Sequence, residues 1–307
     1  MLRLHLTCFC GDPTLAVFAE VAELLFHGFR RAGAQVEWEP RSMRRGALNL
    51  VIAAHRMPPA LLPRLLDERV ILNLEQVCAP EAWQRTDAAT YRALLQGSPV
   101  IDYSERNREW LLRELQVHAE IMTLGHVPEL ERIPRAREQD IDVLFYGKIT
   151  PARAERLGAL RRDGLRVVAL SGAPWDYGKE RDALIARSRV VLNLHAHDAH
   201  IFEQVRVNYL LINGKAVVSE ILDDTEIPEL YRRLVDPVCG IDAIVEHCRQ
   251  LVGDEHLRRE REEAARDGMR THPQTALLAG IACLQAALPD RGNRAAPLAP
   301  GACRGRP

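Results

Sequence analysis

The chain has 307 residues, 47% of them hydrophobic and 27% charged, enough for one large domain or two medium ones with a sizeable core. Its 41 basic and 42 acidic residues leave a formal charge of −1, which excludes a sequence-wide electrostatic footprint for nucleic acid and a polybasic membrane anchor. The longest apolar runs, such as Leu50 to Ala54 and Val190 to Leu194, are far shorter than the roughly 20 residues of a membrane-spanning helix.

No secretory signal is visible at Met1 to Thr7, so a cytoplasmic protein is expected. The seven cysteines lack metal-ligand spacing and are too dispersed for a disulfide framework. All but three of the basic residues are arginines, as in a product of a GC-rich genome, and the three lysines, Lys148, Lys179 and Lys215, each follow a glycine.

The first half reads as alternating strands and helices. Leu2 to Phe9 is a strand closed by Gly11-Asp12-Pro13, with Asp12 placed to cap a helix that has Pro13 at its first position. Leu15, Phe18, Val21, Ala22, Leu25 and Phe29 mark one buried helical face, and Gly33 stops it. Strands follow at Gln35–Trp38, Asn49–Ala54, Val70–Leu74, Val100–Asp102 and Ala119–Leu124, with helices at Pro59–Asp67, Glu81–Gln96 and Ser104–His118.

From Gly125 to Asp140 the sequence turns proline-bearing and loses apolar periodicity, as a linker does. A second alternating run has strands at Asp142–Tyr146, Leu165–Leu170, Val190–His195 and Ala216–Ser219. Helices lie at Pro151–Arg162, Glu180–Ser188 and Phe202–Asn213, and four more follow the last strand up to Ala287. The remainder, rich in Pro, Gly, Ala and Arg, buries too little apolar surface to order itself. The expected fold is therefore α/β, with two Rossmann-like domains facing a cleft: residues 1–125, a linker at 126–140, a second domain at 141–288 and a disordered tail at 289–307.

In such sheets ligands bind beyond the carboxyl ends of the strands. Gly147 there lets backbone approach a ligand, Lys148 brings a compact positive charge, and Arg153 falls in the first turn of the next helix, where an anion would relieve its conflict with the helix dipole. Asn193 and His195 share one face of the Val190–His195 strand, and Arg206 sits early in the helix behind it, three residues after Glu203. A surface pair is the plain alternative for those two. His195, His197 and His200 fit no standard zinc pattern, so no metal is expected.

These motifs resemble those of a known family. Gly147-Lys148, Val191-Leu192-Asn193-Leu194-His195, Arg206-Val207 and Gly214 through Glu220 are similar to the C-terminal half of GT-B glycosyltransferases, of the CgeB/YkvP-like group within the group 1 glycosyl transferases. The first half, with Leu72 to Gln76 and Asp102 to Ser104, resembles their N-terminal half more loosely.

The resemblance implies a nucleotide-sugar donor on the second domain and an unidentified acceptor on the first, with neither metal nor cofactor. Its donor-binding residues would be Gly147, Lys148, Arg153, Asn193, His195, Glu203, Arg206 and Glu220. The group's second glutamate, counted from Glu203, falls on Leu211, with Tyr209 the nearest polar substitute for holding a ribose. A general base would come from the first domain, where Glu75, His55 and Asp12 are the strand-end candidates. The expected function is a glycosyltransferase, the alternative a module that binds nucleotide or a partner without turnover.

Overall fold

A computed structural model of the chain describes residues 3–85, 87–171 and 178–288, with the side chains of residues 12–14 and 84–85 not described. The first domain runs β1 (Arg3–Cys8), α1 (Asp12–Val17), α2 (Ala19–Arg31), β2 (Val36–Trp38), β3 (Ala47–Ile52), β4 (Arg69–Leu72), α3 (Ala88–Gln96), β5 (Val100–Asp102), α4 (Glu105–Leu115) and β6 (Ala119–Ile121). The second runs β7 (Ile141–Tyr146), α5 (Pro151–Arg162), β8 (Val167–Leu170), α6 (Gly178–Arg187), β9 (Ser188–Asn193), α7 (Gln204–Ile212), β10 (Ala216–Glu220), α8 (Glu229–Arg232), β11 (Asp236–Val238), α9 (Ile241–Gly253), α10 (Glu255–Arg270) and α11 (Gln274–Leu278).

Each sheet is wholly parallel. Their orders are β2-β1-β3-β4-β5-β6 and β11-β10-β9-β7-β8. In both, the chain crosses from one side of the sheet to the other between its first and third strands. That leaves a crevice beyond β1 and β3 in one domain, and beyond β7 and β9 in the other. Central strands are largely apolar, as burial on both faces requires: every residue of β3 and β7 is buried, Asn49 and Asp142 being the polar ones.

Several elements depart from the periodicity reading for local reasons. Pro59–Arg64 is a 3-10 turn, because Pro59 and Pro63 cannot donate to a helical ladder. The expected Glu81–Gln96 helix is split, since the Asp87 side chain accepts from Thr90 N at 2.8 Å and begins α3 afresh. Gly11, not Asp12, is the N-cap of α1. Strand β11 carries Pro237 and escapes the alternation pattern; it survives as an edge strand, where a missing N–H is tolerated.

The linker is not a solvent-exposed tether. Val127, Leu130 and Ile133 are buried in a core that also takes in residues of both sheets. The Asn213 carboxamide oxygen accepts from Arg132 N and Ile133 N, each at 2.8 Å.

The domain boundary expected at residue 288 also needs correcting. After α10 the chain crosses back: Gln274 Oε1 accepts from Gly125 N at 2.6 Å, α11 packs on α2, and Glu120 receives Cys283 N at 2.9 Å. Residues 274–288 thus cover the first domain, because α2 presents Gly28, against which Gln274 and Leu278 lie closely. The tail expected at 289–307 lies outside the described residues.

Further polar contacts join the domains along the cleft. Glu226 caps α4 from the other domain, its carboxylate accepting from Ser104 Oγ and Glu105 N, both at 2.6 Å, and from Arg106 N at 3.2 Å. Gln204 donates to Tyr103 O at 2.8 Å, and buried Arg181 pairs with Glu20 at 2.6 Å.

Candidate functional site

The loops beyond β7, β9 and β10 converge. Gly147 ends β7 at φ +132°, a value that favours glycine, and a Cβ there would stand 2.7 Å from Arg206 Nη2. Arg206 reaches this point from the first turn and a half of α7. Its Nη1 donates to Asn193 Oδ1 at 3.1 Å, its Nη2 stands 3.6 Å from Glu203 Oε2, and its guanidinium lies 5.6 Å from the Phe145 ring centre. Lys148 is exposed on the same loop. Thr150 caps α5, its Oγ1 accepting from Arg153 N at 3.3 Å.

Arg153 does not stand where the helix-dipole argument put it. Its side chain turns inward and is 1% exposed. Nε donates to His195 O at 3.0 Å, Nη1 to Lys148 O at 2.8 Å, and Nη2 to Leu194 O and, at 3.3 Å, to Glu203 Oε1. Loop carbonyls take most of its donors, so its direct role is to tie the β7 and β9 loops together and to hold Glu203. Burial, with Arg206 nearby, lowers its pKa to about 10 against the pull of Glu203. Burial in turn pushes the Glu203 carboxyl up, but Arg206 and Arg153, with His197 and His195, outweigh it and leave Glu203 below its ordinary value.

Next to this cluster is a cavity of about 130 Å3, lined among others by Thr150, Arg156, His195, His197 and Glu220. Glu220 ends β10, where its Oε1 receives Arg156 Nε at 2.7 Å and its Oε2 receives His195 N at 3.3 Å. His195 Nε2 lies 3.0 Å from Thr225 Oγ1, and burial holds its pKa below the usual histidine value. Asn193 Nδ2 donates to Ser219 Oγ at 3.0 Å. Arg156 and Thr225 were not singled out from sequence; the Arg153/Arg156 spacing on α5 was the available signal for the first, while Thr225 comes from a loop with none.

Tyr209 does not join the site. Its hydroxyl donates to Asp182 Oδ2 at 2.7 Å and accepts from Arg132 Nε at 2.8 Å, within the ion-pair cluster between α6 and the linker. The residue the resemblance offers in place of the second glutamate is thus engaged elsewhere, and Leu211 is fully buried.

Across the cleft, His55 and Glu75 come together, His55 Nε2 standing 3.0 Å from Glu75 Oε1. His55 follows Ala53, a non-glycine residue at φ +54°, the kind of backbone strain that collects at ligand-facing loops. Burial, with Arg56 adding repulsion, lowers the His55 pKa to about 3. The ring is thus neutral at neutral pH, with its Nε2 facing the partly exposed Glu75 carboxyl group.

Behind them Asp102 is fully buried and accepts from Asn73 Nδ2 at 2.6 Å, Tyr103 N at 2.7 Å and Ser104 N at 2.9 Å, while burial pushes it up to about 7. Burial first, then the charges of Asp102, Glu203 and Glu75, hold the Tyr103 phenol well above its usual range, so acids of both domains act on one side chain. His197 reaches within 3.8 Å of Glu81 across the same gap. Asp12 opens α1 at the crevice, and its side chain lies outside the described residues. Among the described residues no three His, Cys, Asp or Glu side chains form a metal-holding cluster, and no helix is long and apolar enough to cross a membrane.

No protein-family model matches the chain. Two curated relatives are the uncharacterized proteins L140 and R358 of Acanthamoeba polyphaga mimivirus. The first is 24% identical over 188 residues, covering 61% of this chain and 60% of L140. The second is 25% identical over 217 residues, covering 67% of this chain and 72% of R358.

Solved structures are similar over nearly the whole fold. Anabaena HepE, determined with UDP and glucose, has a TM-score of 0.57 at 11% identity, covering 94% of this chain and 100% of HepE. WaaG, a glycosyltransferase of lipopolysaccharide biosynthesis, has a TM-score of 0.53 at 14% identity, covering 92% and 98%. A DNA-modifying β-glucosyltransferase has a TM-score of 0.57 at 10% identity, covering 88% and 94%. TarM matches with a TM-score of 0.53 at 11% identity over 87% of this chain, which spans 57% of TarM. At these identities the likeness establishes the fold, two Rossmann-like domains in the GT-B arrangement.

Proposed function

We propose that the protein is a glycosyltransferase with the motifs of the CgeB/YkvP-like group, moving a sugar from a nucleoside-diphosphate sugar to a hydroxyl of an acceptor held by the first domain. The observation that carries this reading is the cationic crevice at the β7–β9 crossing. There a residue without Cβ, Gly147, lies under the Arg206 guanidinium, beside Lys148 and the amino end of α5. A diphosphate lying over Gly147 meets preorganised positive charge, which stabilises it as a leaving group without a metal. Glu220 and His195 line the adjoining cavity and would contact the rest of the donor.

In a direct displacement, Glu75 takes the proton of the acceptor hydroxyl as its oxygen bonds to the anomeric carbon. The bond from that carbon to the diphosphate breaks, and the nucleoside diphosphate leaves with the electron pair. His55, neutral and buried, positions Glu75 by its hydrogen bond.

The test is a thermal-midpoint screen against UDP, GDP and dTDP, followed by hydrolysis assays with the corresponding sugars and Lys148→Ala as control. A ligand of the native state raises the midpoint. If no nucleotide or nucleotide sugar does so at millimolar concentration, the proposal fails. Leu211 at the expected glutamate position, with Tyr209 committed elsewhere, favours a second reading, a GT-B module that binds nucleotide without turnover. Binding with neither hydrolysis nor transfer to extract-derived acceptors would support it.

A further inference from the structure

The amino ends of the second sheet carry a cavity that the transfer reaction does not use. It holds about 160 Å3 between residues 133–135, residues 213–215 and α10, far more than one water needs. Lys215 enters β10 there and Ser188 begins β9, so this cavity lies at the opposite end of the strands from the crevice at Gly147.

Its charges do not balance. Lys215 is 3% exposed, and its Nζ donates to Ser188 O at 2.9 Å. Among the described residues no carboxylate comes within ion-pair distance of it. Burial lowers its pKa to about 8; Glu262 pulls the other way, while Arg135, Arg258 and Arg266 add repulsion. Arg266 lies over the same turn, its Nη2 2.5 Å from where a Cβ on Gly214 would be. Arg135 and Arg259 also line the cavity but share Glu255, at 3.2 Å and 2.7 Å, and the lining carboxylates are Glu262 and the exposed Glu263, against four cations.

Its hydrogen bonds do not close either. Of the lining side chains, Arg135 Nη1 and Glu262 Oε1 are buried without a hydrogen-bond partner in the protein. Arg135 Nη1 and Glu262 Oε2 stand 3.8 Å apart, beyond hydrogen-bond reach. A buried ammonium without a carboxylate, an unpaired guanidinium donor and one unpaired carboxylate oxygen describe a complement: an anion that accepts several hydrogen bonds and donates one. Buried polar groups of this kind are normally satisfied.

We propose that this cavity is an oxyanion site for inorganic phosphate, with Lys215, Arg266 and Arg135 donating to its oxygens and Glu262 accepting from its P–OH. Hydrogen phosphate keeps a proton at neutral pH and sulfate keeps none, so Glu262 selects between two ions of like shape and charge. A phosphate monoester, mostly fully ionised at pH 7, is disfavoured for the same reason. The inference does not rest on the transferase reading.

The test follows the thermal midpoint of the full chain at fixed ionic strength against phosphate, sulfate and glucose 6-phosphate. Phosphate is expected to raise the midpoint in a saturable way, with sulfate and the ester at least tenfold weaker. Lys215→Met and Arg266→Gln should each weaken phosphate tenfold or more. Glu262→Gln should bring sulfate level with phosphate, and Lys148→Ala should leave the phosphate response unchanged. Should Lys215→Met not fold, Arg266→Gln, on a partly exposed side chain, carries the test. Equal responses to phosphate and sulfate in the wild type, no response at tens of millimolar, or a phosphate response lost in Lys148→Ala but kept in Arg266→Gln would overturn the site.

Discussion

Replacing Gly147 by alanine separates two demands on one position. The backbone at φ +132° occupies a region that side-chain-bearing residues avoid, and the new methyl would sit 2.7 Å from Arg206 Nη2. The steric part is soft, because the Arg206 tip is held by Asn193 at 3.1 Å, Glu203 at 3.6 Å and the faces of Phe145 and Tyr146, so the guanidinium moves rather than the strand. The conformational part has no such escape and should cost about 1–3 kcal/mol. Losing the Asn193 contact adds about 0.5–1.5 kcal/mol.

On the proposed donor reading, moving a charged donor off the diphosphate should weaken UDP by about 1.5–3 kcal/mol, roughly 10- to 100-fold. Urea denaturation and calorimetric UDP titration of Gly147→Ala, Arg206→Ala and the double variant read both terms. In the double variant alanine at 147 should still destabilise, yet remove no further UDP affinity, since the two sites act through one contact. Wild-type UDP affinity in Gly147→Ala, or a double variant whose losses multiply, refutes the reasoning.

Glu75→Gln should lower transfer by about 100- to 10,000-fold while leaving UDP affinity intact, as loss of a general base does; a comparable loss of UDP binding would count against that role. Glu226→Ala leaves the Ser104 cap but removes the acceptor for the first N–H groups of α4 across the cleft and should lower stability by about 0.5–2 kcal/mol in urea melts. Asn213→Ala removes the acceptor for two linker N–H groups and should cost more, about 1–3 kcal/mol for each group left unpaired. His55 is held at about 3, below its unfolded value, so its contribution is full above pH 6.5 and is lost as pH falls toward 3. Stability should decline by at most about 1.4 kcal/mol per pH unit across that window, and His55→Gln should flatten the slope.

Local chemistry carried most of the architecture into the sequence. Apolar runs such as Asn49 to Ala54 and Val190 to His195 announce central parallel strands, because burial on both faces leaves no room for alternation. Ser104 announces its helix because a cap acts within one turn, and its hydroxyl accepts from Asn107 N at 3.1 Å. The strand-end rule then pointed to loops that converge beyond β7, β9 and β10, since topology alone sets where a parallel sheet opens.

Side-chain direction and long-range pairing were not legible. Arg153 and Arg206 read alike as early-helix arginines, yet one is drawn under the β9 loop by the Leu194 and His195 carbonyls while the other stays at the mouth over Gly147. Tyr209, which the resemblance offers for holding a ribose, has its hydroxyl taken by Asp182 and Arg132, both distant in sequence. The return of residues 274–288 to the first domain depends on Gly28 and Gly125, whose bare backbones become docking surfaces only once both domains exist.

The sequence by itself determined most of the alternation of strands and helices, the two parallel sheets and the loops at their carboxyl ends, since these follow from residues a few positions apart. The tertiary structure alone decided which arginine faces the crevice, that His55 and Glu75 meet at 3.0 Å, and that Lys215 is buried without a counter-ion. Burial and charge balance are properties of the assembled interior, and no short window of sequence contains them.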